Sequence, residues 1–137
     1  MNDMRTKTKN TGSVLLVIVF AIALMAMITV GILQMSTEEL MLMHNQLYST
    51  QAFGVAEAGL NDAFAQIRTN SNWTTGFTDK SFNGGTYDVT VTGTLPNRTI
   101  TSEGTTSQGF VSRLEADVTV GTSSPYVIRI DNLRINE

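Results

Sequence analysis

Three patterns of apolar and polar residues follow one another along the chain. Residues Val14–Leu33 are twenty consecutive uncharged positions, interrupted in their apolar character only by Thr29 and Gly31. From Leu40 to Ile67 apolar residues recur at steps of three and four, and beyond Gly85 they alternate with polar ones. These patterns predict, in order, a helix that is apolar all round, an amphipathic helix and a set of half-buried strands.

The apolar run has the length of a membrane span. At about 1.5 Å per residue, twenty helical residues cover about 30 Å, which matches the hydrocarbon core of a bilayer. The alternative is a helix buried inside a soluble protein. It would need apolar cover on every side, and the rest of the chain is too rich in Thr, Ser, Gly and Asn to supply it. The run therefore predicts one transmembrane helix.

Charges on either side of the run predict its orientation. Arg5, Lys7 and Lys9 precede it, whereas Glu38 and Glu39 follow it with no basic residue nearby. Because positive charge is retained on the cytoplasmic side, the N-terminus is predicted to be cytoplasmic and the C-terminal part extracytoplasmic.

A cleaved secretory signal is the competing interpretation of the same segment. Such signals have an apolar core of about 7–15 residues followed by a small-residue cleavage site. Ala21 and Ala23 have the required spacing but lie inside the apolar run, so cleavage there would leave an apolar tail. The sequence favours a retained span.

The helix is predicted to continue beyond the span, from about Ser13 to Thr69. Gln34–Thr69 contains no proline and is dominated by helix-forming residues. Ser36–Glu39 could cap a separate helix, but without a Gly or Pro break continuation is favoured. The apolar positions of its predicted stripe are Leu40, Met43, Leu47, Phe53, Ala56, Leu60, Phe64 and Ile67.

The polar half of the chain predicts a small antiparallel sheet. Residues 70–79 are predicted to form a loop held against the helix by Trp73 and Phe77, and Asn83-Gly84-Gly85 to form a turn. The fold class is therefore α+β: a long N-terminal helix, its inner half transmembrane, packed through its outer half on the sheet. Four strands are predicted within residues 86–93, 98–104 (shorter and weaker), 110–120 and 126–135.

Composition excludes several functions. Without its first twelve residues the chain has six basic and eleven acidic side chains, a net charge of −5, so nucleic-acid binding through bulk charge is not expected. The absence of cysteine excludes disulfides and thiolate metal sites.

No catalytic constellation stands out in the sequence. His44 is the only histidine, and Glu38, Glu39 and Glu57 lie on the predicted helix as surface or subunit-pairing carboxylates. There is no Ser-His-Asp set, P-loop or metal-ligand spacing. The prediction is a protein that is not an enzyme, with no catalytic residue, metal or cofactor.

Two local sequences resemble a known family. Lys9–Gly12 followed by Ser13–Leu16, KNTG-SVLL, looks like a prepilin peptidase site, and Gln51–Leu60, QAFGVAEAGL, resembles the A-F-x-x-A-E-A segment of minor pilins of the PilX N-terminal type. The later GGTYDVTVTG, ITSEGT and SRLEADVTV resemble the sheet of small members of that group. Together with the span between them, these features resemble the plan of type IV pilins and pseudopilins.

The resemblance implies processing and assembly. Cleavage between Gly12 and Ser13, with N-methylation of Ser13, would release a helix that packs in a filament through Val14, Val17, Phe20 and Gly31. The implied partners are other pilin and minor pilin subunits, prepilin peptidase, the inner-membrane assembly platform and the membrane itself. The implied segments are a leader (1–12), a transmembrane and filament-core helix (13–35), its amphipathic continuation (36–69) and a sheet domain (70–137).

Two positions depart from the family pattern. Most major pilins have glutamate at the fifth mature residue, where this chain has Val17, which favours a minor subunit near the filament tip. Ser13 stands where an apolar or aromatic residue is more usual. Two alternatives stay open: a permanently anchored single-span protein with an extracytoplasmic partner-binding domain, and a type II secretion pseudopilin.

Overall fold

The computed structural model describes the backbone of residues 9–136 and the side chains of residues 12–136. The predicted leader therefore lies largely outside the described residues. The chain divides into two compact units, Met1–Met43 and His44–Glu137. The elements of the described part are α1 (Lys9–Thr69), β1 (Phe77–Phe82), β2 (Gly85–Thr92), β3 (Asn97–Thr106), β4 (Val111–Val120) and β5 (Ile128–Asn136).

The prediction of a long N-terminal helix is confirmed, since α1 runs without a break from Lys9 to Thr69. No new helix starts at Ser36–Glu39, because the Thr37 hydroxyl donates to the Leu33 carbonyl oxygen at 2.9 Å instead of capping. Such back-bonding to the preceding turn is the usual arrangement of threonine inside a helix.

The sheet is an antiparallel meander of five strands in the order β1-β2-β3-β4-β5. The predicted turn between β1 and β2 is present, with Asn83 and Gly84 both at positive φ (46° and 81°). This is the backbone conformation that an Asn-Gly pair adopts most easily in a two-residue hairpin loop.

The prediction of four strands is wrong, because Phe77–Phe82 forms a fifth strand where a loop was expected. As an edge strand, β1 keeps every side chain after Phe77 exposed, so its sequence has no apolar alternation. The predicted loop contacts are partly right, since Trp73 and Phe77 do pack against the core. The last strand begins at Ile128, two residues later than predicted.

Strand β3 is longer than predicted: it spans ten residues, of which Thr99–Thr106 pair with β2 and Asn97–Thr105 pair with β4. Its inward positions hold Arg98, Ile100, Ser102, Gly104 and Thr106, of which only Ile100 is a large aliphatic residue. Because most of these inward residues are small or polar, the sequence of β3 lacks the apolar–polar alternation of a half-buried strand. They are there because the helix lies directly on this strand.

Contact between α1 and β3 is at backbone distance. The Ser102 hydroxyl donates to the Ala56 carbonyl oxygen at 2.7 Å. A Cβ atom at Gly104 would lie 2.5 Å from the Ala52 carbonyl oxygen and even closer to the Ala56 nitrogen. Only glycine in the strand and alanine in the helix permit this approach.

One predicted stripe proves to be two separate surfaces. Leu40, Met43 and Leu47 are 58–65% exposed and do not cover the sheet. Leu47 and Ala56 are nine residues apart, about two and a half turns, so they lie on opposite sides of the helix. The stripe that does cover the sheet, called the covering stripe below, consists of Ala52, Val55, Ala56, Leu60, Ala63 and Ile67.

We expect Gly104→Ala to lower the free energy of unfolding by about 1–3 kcal/mol, because the added methyl group meets helix backbone that cannot move aside cheaply. The matched control is Gly54→Ala, where a Cβ meets nothing within 4 Å and helix propensity improves. Urea unfolding of the detergent-solubilised full chain measures both. Equal effects of the two substitutions would contradict the close approach.

Candidate functional site

The apolar part of α1 has no cover within its own unit. Every large apolar side chain from Val14 to Leu33 is between 46% and 75% exposed. Among the described residues this is the one helix long and apolar enough to cross a membrane. An apolar surface of this extent is stable only against lipid or other protein.

Most of the predicted assembly residues share one side of this helix. Val14, Val17 and Phe20 are 56%, 61% and 63% exposed. Phe20 and Gly31 are eleven residues apart, about three turns, so Gly31 lies on the same side about 16 Å further along. Val14 lies about 60° from Val17 and about 120° from Phe20 around the helix, at the edge of this side. A Cβ at Gly31 would meet nothing within 4 Å, so the chain's own packing does not require glycine there.

The predicted cleavage position lies in the first turn of the described helix, where Gly12 is the fourth residue of α1. A Cβ at Gly12 would meet nothing within 4 Å. If glycine is needed at this position, the need comes from a partner and not from the fold.

The only histidine belongs to an aromatic row on the surface of the second unit. The His44 ring lies 6.1 Å from that of Tyr48, which lies 5.4 Å from the ring of Phe110 in the β3–β4 connection. Within the described residues no three His, Cys, Asp or Glu side chains gather in a way that could hold a metal ion.

A charged cluster that the sequence did not reveal links α1 to β1 and β2. Lys80 Nζ donates to Asp62 Oδ2 at 2.5 Å, and the Tyr87 hydroxyl donates to the same oxygen. The Lys80 ammonium also lies 4.4 Å from the centre of the Phe77 ring, a cation–π contact. Lys80 lies between the predicted loop and the first predicted strand, so the sequence did not indicate that these groups meet.

The electrostatics of this cluster match its hydrogen bonds. Donation from Lys80 and then from Tyr87 lowers the pKa of the Asp62 carboxyl. Burial of the Tyr87 ring, followed by its hydrogen bond to Asp62, raises the pKa of the Tyr87 hydroxyl. The cluster holds the helix on one edge of the sheet, and its geometry serves stability rather than chemistry.

The sheet face away from α1 carries paired charges. Arg134 contacts Glu115 at 3.2 Å and also pairs with Asp117, and Arg129 Nε contacts Asp131 at 2.7 Å. Hydrogen bonds from Thr99 and then Arg134 lower the pKa of Asp117. These side chains satisfy one another's charge.

Comparison of this chain with protein family models, curated proteins and solved structures finds no significant match. Function is therefore inferred from the chain's own residues.

We expect Asp62→Asn to lower the free energy of unfolding at pH 7 by less than about 1 kcal/mol, because the ion pair is half exposed. The folded state lowers the pKa of Asp62, so this stability is present above the unfolded-state pKa of about 3.9. It is lost as the pH falls through the folded-state pKa, and wild type and variant should converge in strong acid.

Urea unfolding of wild type and Asp62→Asn, from pH 7 to strong acid, measures the difference in their free energies of unfolding. Glu57→Gln, which removes an exposed carboxylate from the same helix, controls for the loss of one negative charge. A difference between wild type and Asp62→Asn that persists unchanged in strong acid would show that the charged pair is not its source.

Proposed function

We propose that this chain is a minor pilin-like subunit of a type IV pilus. It is made as a prepilin with a cytoplasmic N-terminus, cleaved after Gly12 and incorporated in, or used to prime, the filament. The observation that carries the proposal is helix α1. Its apolar part has no cover of its own, and its last part covers the sheet of the domain.

The connection between the apolar segment and the domain supports a filament role over a simple anchor. Domains are usually joined to other parts of a chain by flexible linkers rich in Gly, Pro or polar residues. Here α1 passes from Leu33 to the covering stripe without such a linker, and Thr37 keeps its helical hydrogen bond. A subunit whose helix must both pack in a filament core and hold its domain needs this continuity.

Exchange of lipid for protein around the span costs little free energy. Lipid tails are as apolar as leucine side chains, so helix association in a membrane depends on close packing. Gly31, with open space where a Cβ would be, allows a neighbouring helix to come near on the side that also presents Phe20. Removal of the basic leader frees the helix to leave the bilayer. The subunit then passes from the inner membrane to the pilus at the cell surface.

Val17 supports a position at or near the filament tip. In the family that this chain resembles, a glutamate at the fifth mature residue pairs with the N-terminal amine of a neighbouring subunit. Val17 cannot make that ion pair, and its burial in lipid costs less free energy than that of a carboxylate. A subunit that needs no neighbour beyond it fits the end of the filament.

The test is the mass of the N-terminus after expression of the full chain with a prepilin peptidase. We expect loss of residues 1–12 and one added methyl group on Ser13. Gly12→Leu should abolish processing, because the side chain blocks approach of the peptidase while leaving the fold untouched. Gly31→Leu, the same change at another open glycine, is the matched control and should be processed normally.

An intact Met1 on the wild-type chain would contradict the proposal. It would favour the permanently anchored alternative. Processing of Gly12→Leu at the wild-type rate would separately reject the assignment of the cleavage position.

A further inference from the structure

Strand β5 carries an apolar row that its own domain leaves half exposed. Ile130, Leu133 and Ile135 pair with Val118, Ala116 and Leu114, all three of which are core residues. Side chains of directly paired residues share one face of the sheet, so the row lies on the face covered by α1. Its residues are nevertheless 50–52% exposed, and β5 is an edge strand.

The sequence of this strand is nearly the same in both directions. Ile128–Ile135 reads I-R-I-D-N-L-R-I, which reverses to I-R-L-N-D-I-R-I. If two copies paired antiparallel about an axis between Asp131 and Asn132, Ile128 would face Ile135 of the other copy and Ile130 would face Leu133. Cross-strand aliphatic pairs of this kind are the unit of sheet stabilisation.

A β-bulge makes this pairing possible. Residues three apart, such as Ile130 and Leu133, lie on opposite faces of a regular strand. In β5 they share a face, because the register with β4 shifts between Asp117 and Val118 and leaves Asp131 as an extra residue. Because of the bulge, all four aliphatic residues of this near-palindromic segment lie on the core side of the sheet.

The arginines fall on the other face with their charges already compensated. Arg129 would oppose Arg134 of the other copy, but its own Asp131 holds it at 2.7 Å, and Glu115 and Asp117 hold Arg134. Asp131 would also lie diagonally beside Arg134 of the other copy, within reach of a second ion pair. The edge is therefore complementary to itself in both apolar pattern and charge.

We propose that two copies of this chain associate through β5 about this twofold axis, joining their sheets into one. The proposal rests on the second unit alone and does not depend on the pilin function. A single strand edge is smaller than the roughly 1,200 Å² of a typical stable interface, so the association is weak in dilute solution. Confinement to a membrane raises the effective concentration of such partners.

The absence of cysteine from the chain allows a direct test. Asn132→Cys puts one thiol beside the axis in each copy, close enough for a disulfide. Thr78→Cys on β1, the opposite edge of the same sheet, is the matched control. Under mild oxidation of membranes that contain the full chain, Asn132→Cys should yield at least ten times more disulfide dimer than Thr78→Cys.

Two second-site changes test the register. Leu133→Asp in the Asn132→Cys chain should reduce dimer to the level of the control. Because Leu133 is half exposed, near-ultraviolet circular dichroism should stay unchanged. Arg129→Glu should instead increase the dimer several-fold, since it places a carboxylate opposite Arg134 of the other copy at two symmetric positions.

Three outcomes would overturn the proposal. One is equal cross-linking at Asn132 and Thr78, which indicates random collision. Another is a decrease with Arg129→Glu, which indicates a different register. The third is cross-linking only between Thr78→Cys and Asn132→Cys chains, when the two are mixed, which would replace the twofold dimer with a head-to-tail contact.

Discussion

The close approach of helix α1 to strand β3 is the constraint on which the second unit depends. Where Ala52 and Ala56 lie over Gly104, helix and strand meet at backbone distance, and the Ser102 hydroxyl ties them with a hydrogen bond to Ala56. The inner face of the five-stranded sheet is apolar and needs a layer that shields it from water. The covering stripe supplies the missing layer, so the last part of α1 belongs to the domain as fully as any strand. The charged cluster around Asp62 adds a weaker attachment at the sheet edge.

Sequence predicted the parts of this fold that depend on local pattern. The apolar run, the unbroken helix, strands β2 and β4 and the Asn83-Gly84 turn all follow from periods and residue preferences within a few positions. Strand β1 and the full length of β3 could not be predicted, because an exposed edge and a glycine-lined contact both remove the apolar period. The covering stripe was placed only from Ala56 onward, since the nine residues between Leu47 and Ala56 make about two and a half turns and put Leu47 on the opposite side of the helix. Of the candidate site, Gly12, Ser13 and Val17 come from sequence alone, whereas the meeting of Asp62 with Lys80 and the bulge at Asp131 depend on register between distant residues.

The two proposals rest on two uncovered apolar surfaces of the described chain, and these surfaces differ in kind. Val14–Leu33 is apolar all round and suits a lipid environment or a ring of neighbouring helices, with which it can exchange at little cost. The row on β5 is narrow, flanked by compensated charges and bordered by free backbone groups, which suits another strand. A subunit with both surfaces could combine assembly through its helix with pairing through its domain. The first is the basis of the proposed function and the second of the proposed dimer.

The central claim is that the apolar half of α1 changes its surroundings from lipid to protein. The most direct test is mass spectrometry of filaments sheared from cells that make this chain, compared with the membranes of the same cells. The claim predicts chain beginning at Ser13 in the filament fraction, in small amounts fitting a minor subunit, and no such chain there from the Gly12→Leu variant. Filaments free of this chain, with all of it retained in the membrane and beginning at Met1, would contradict it.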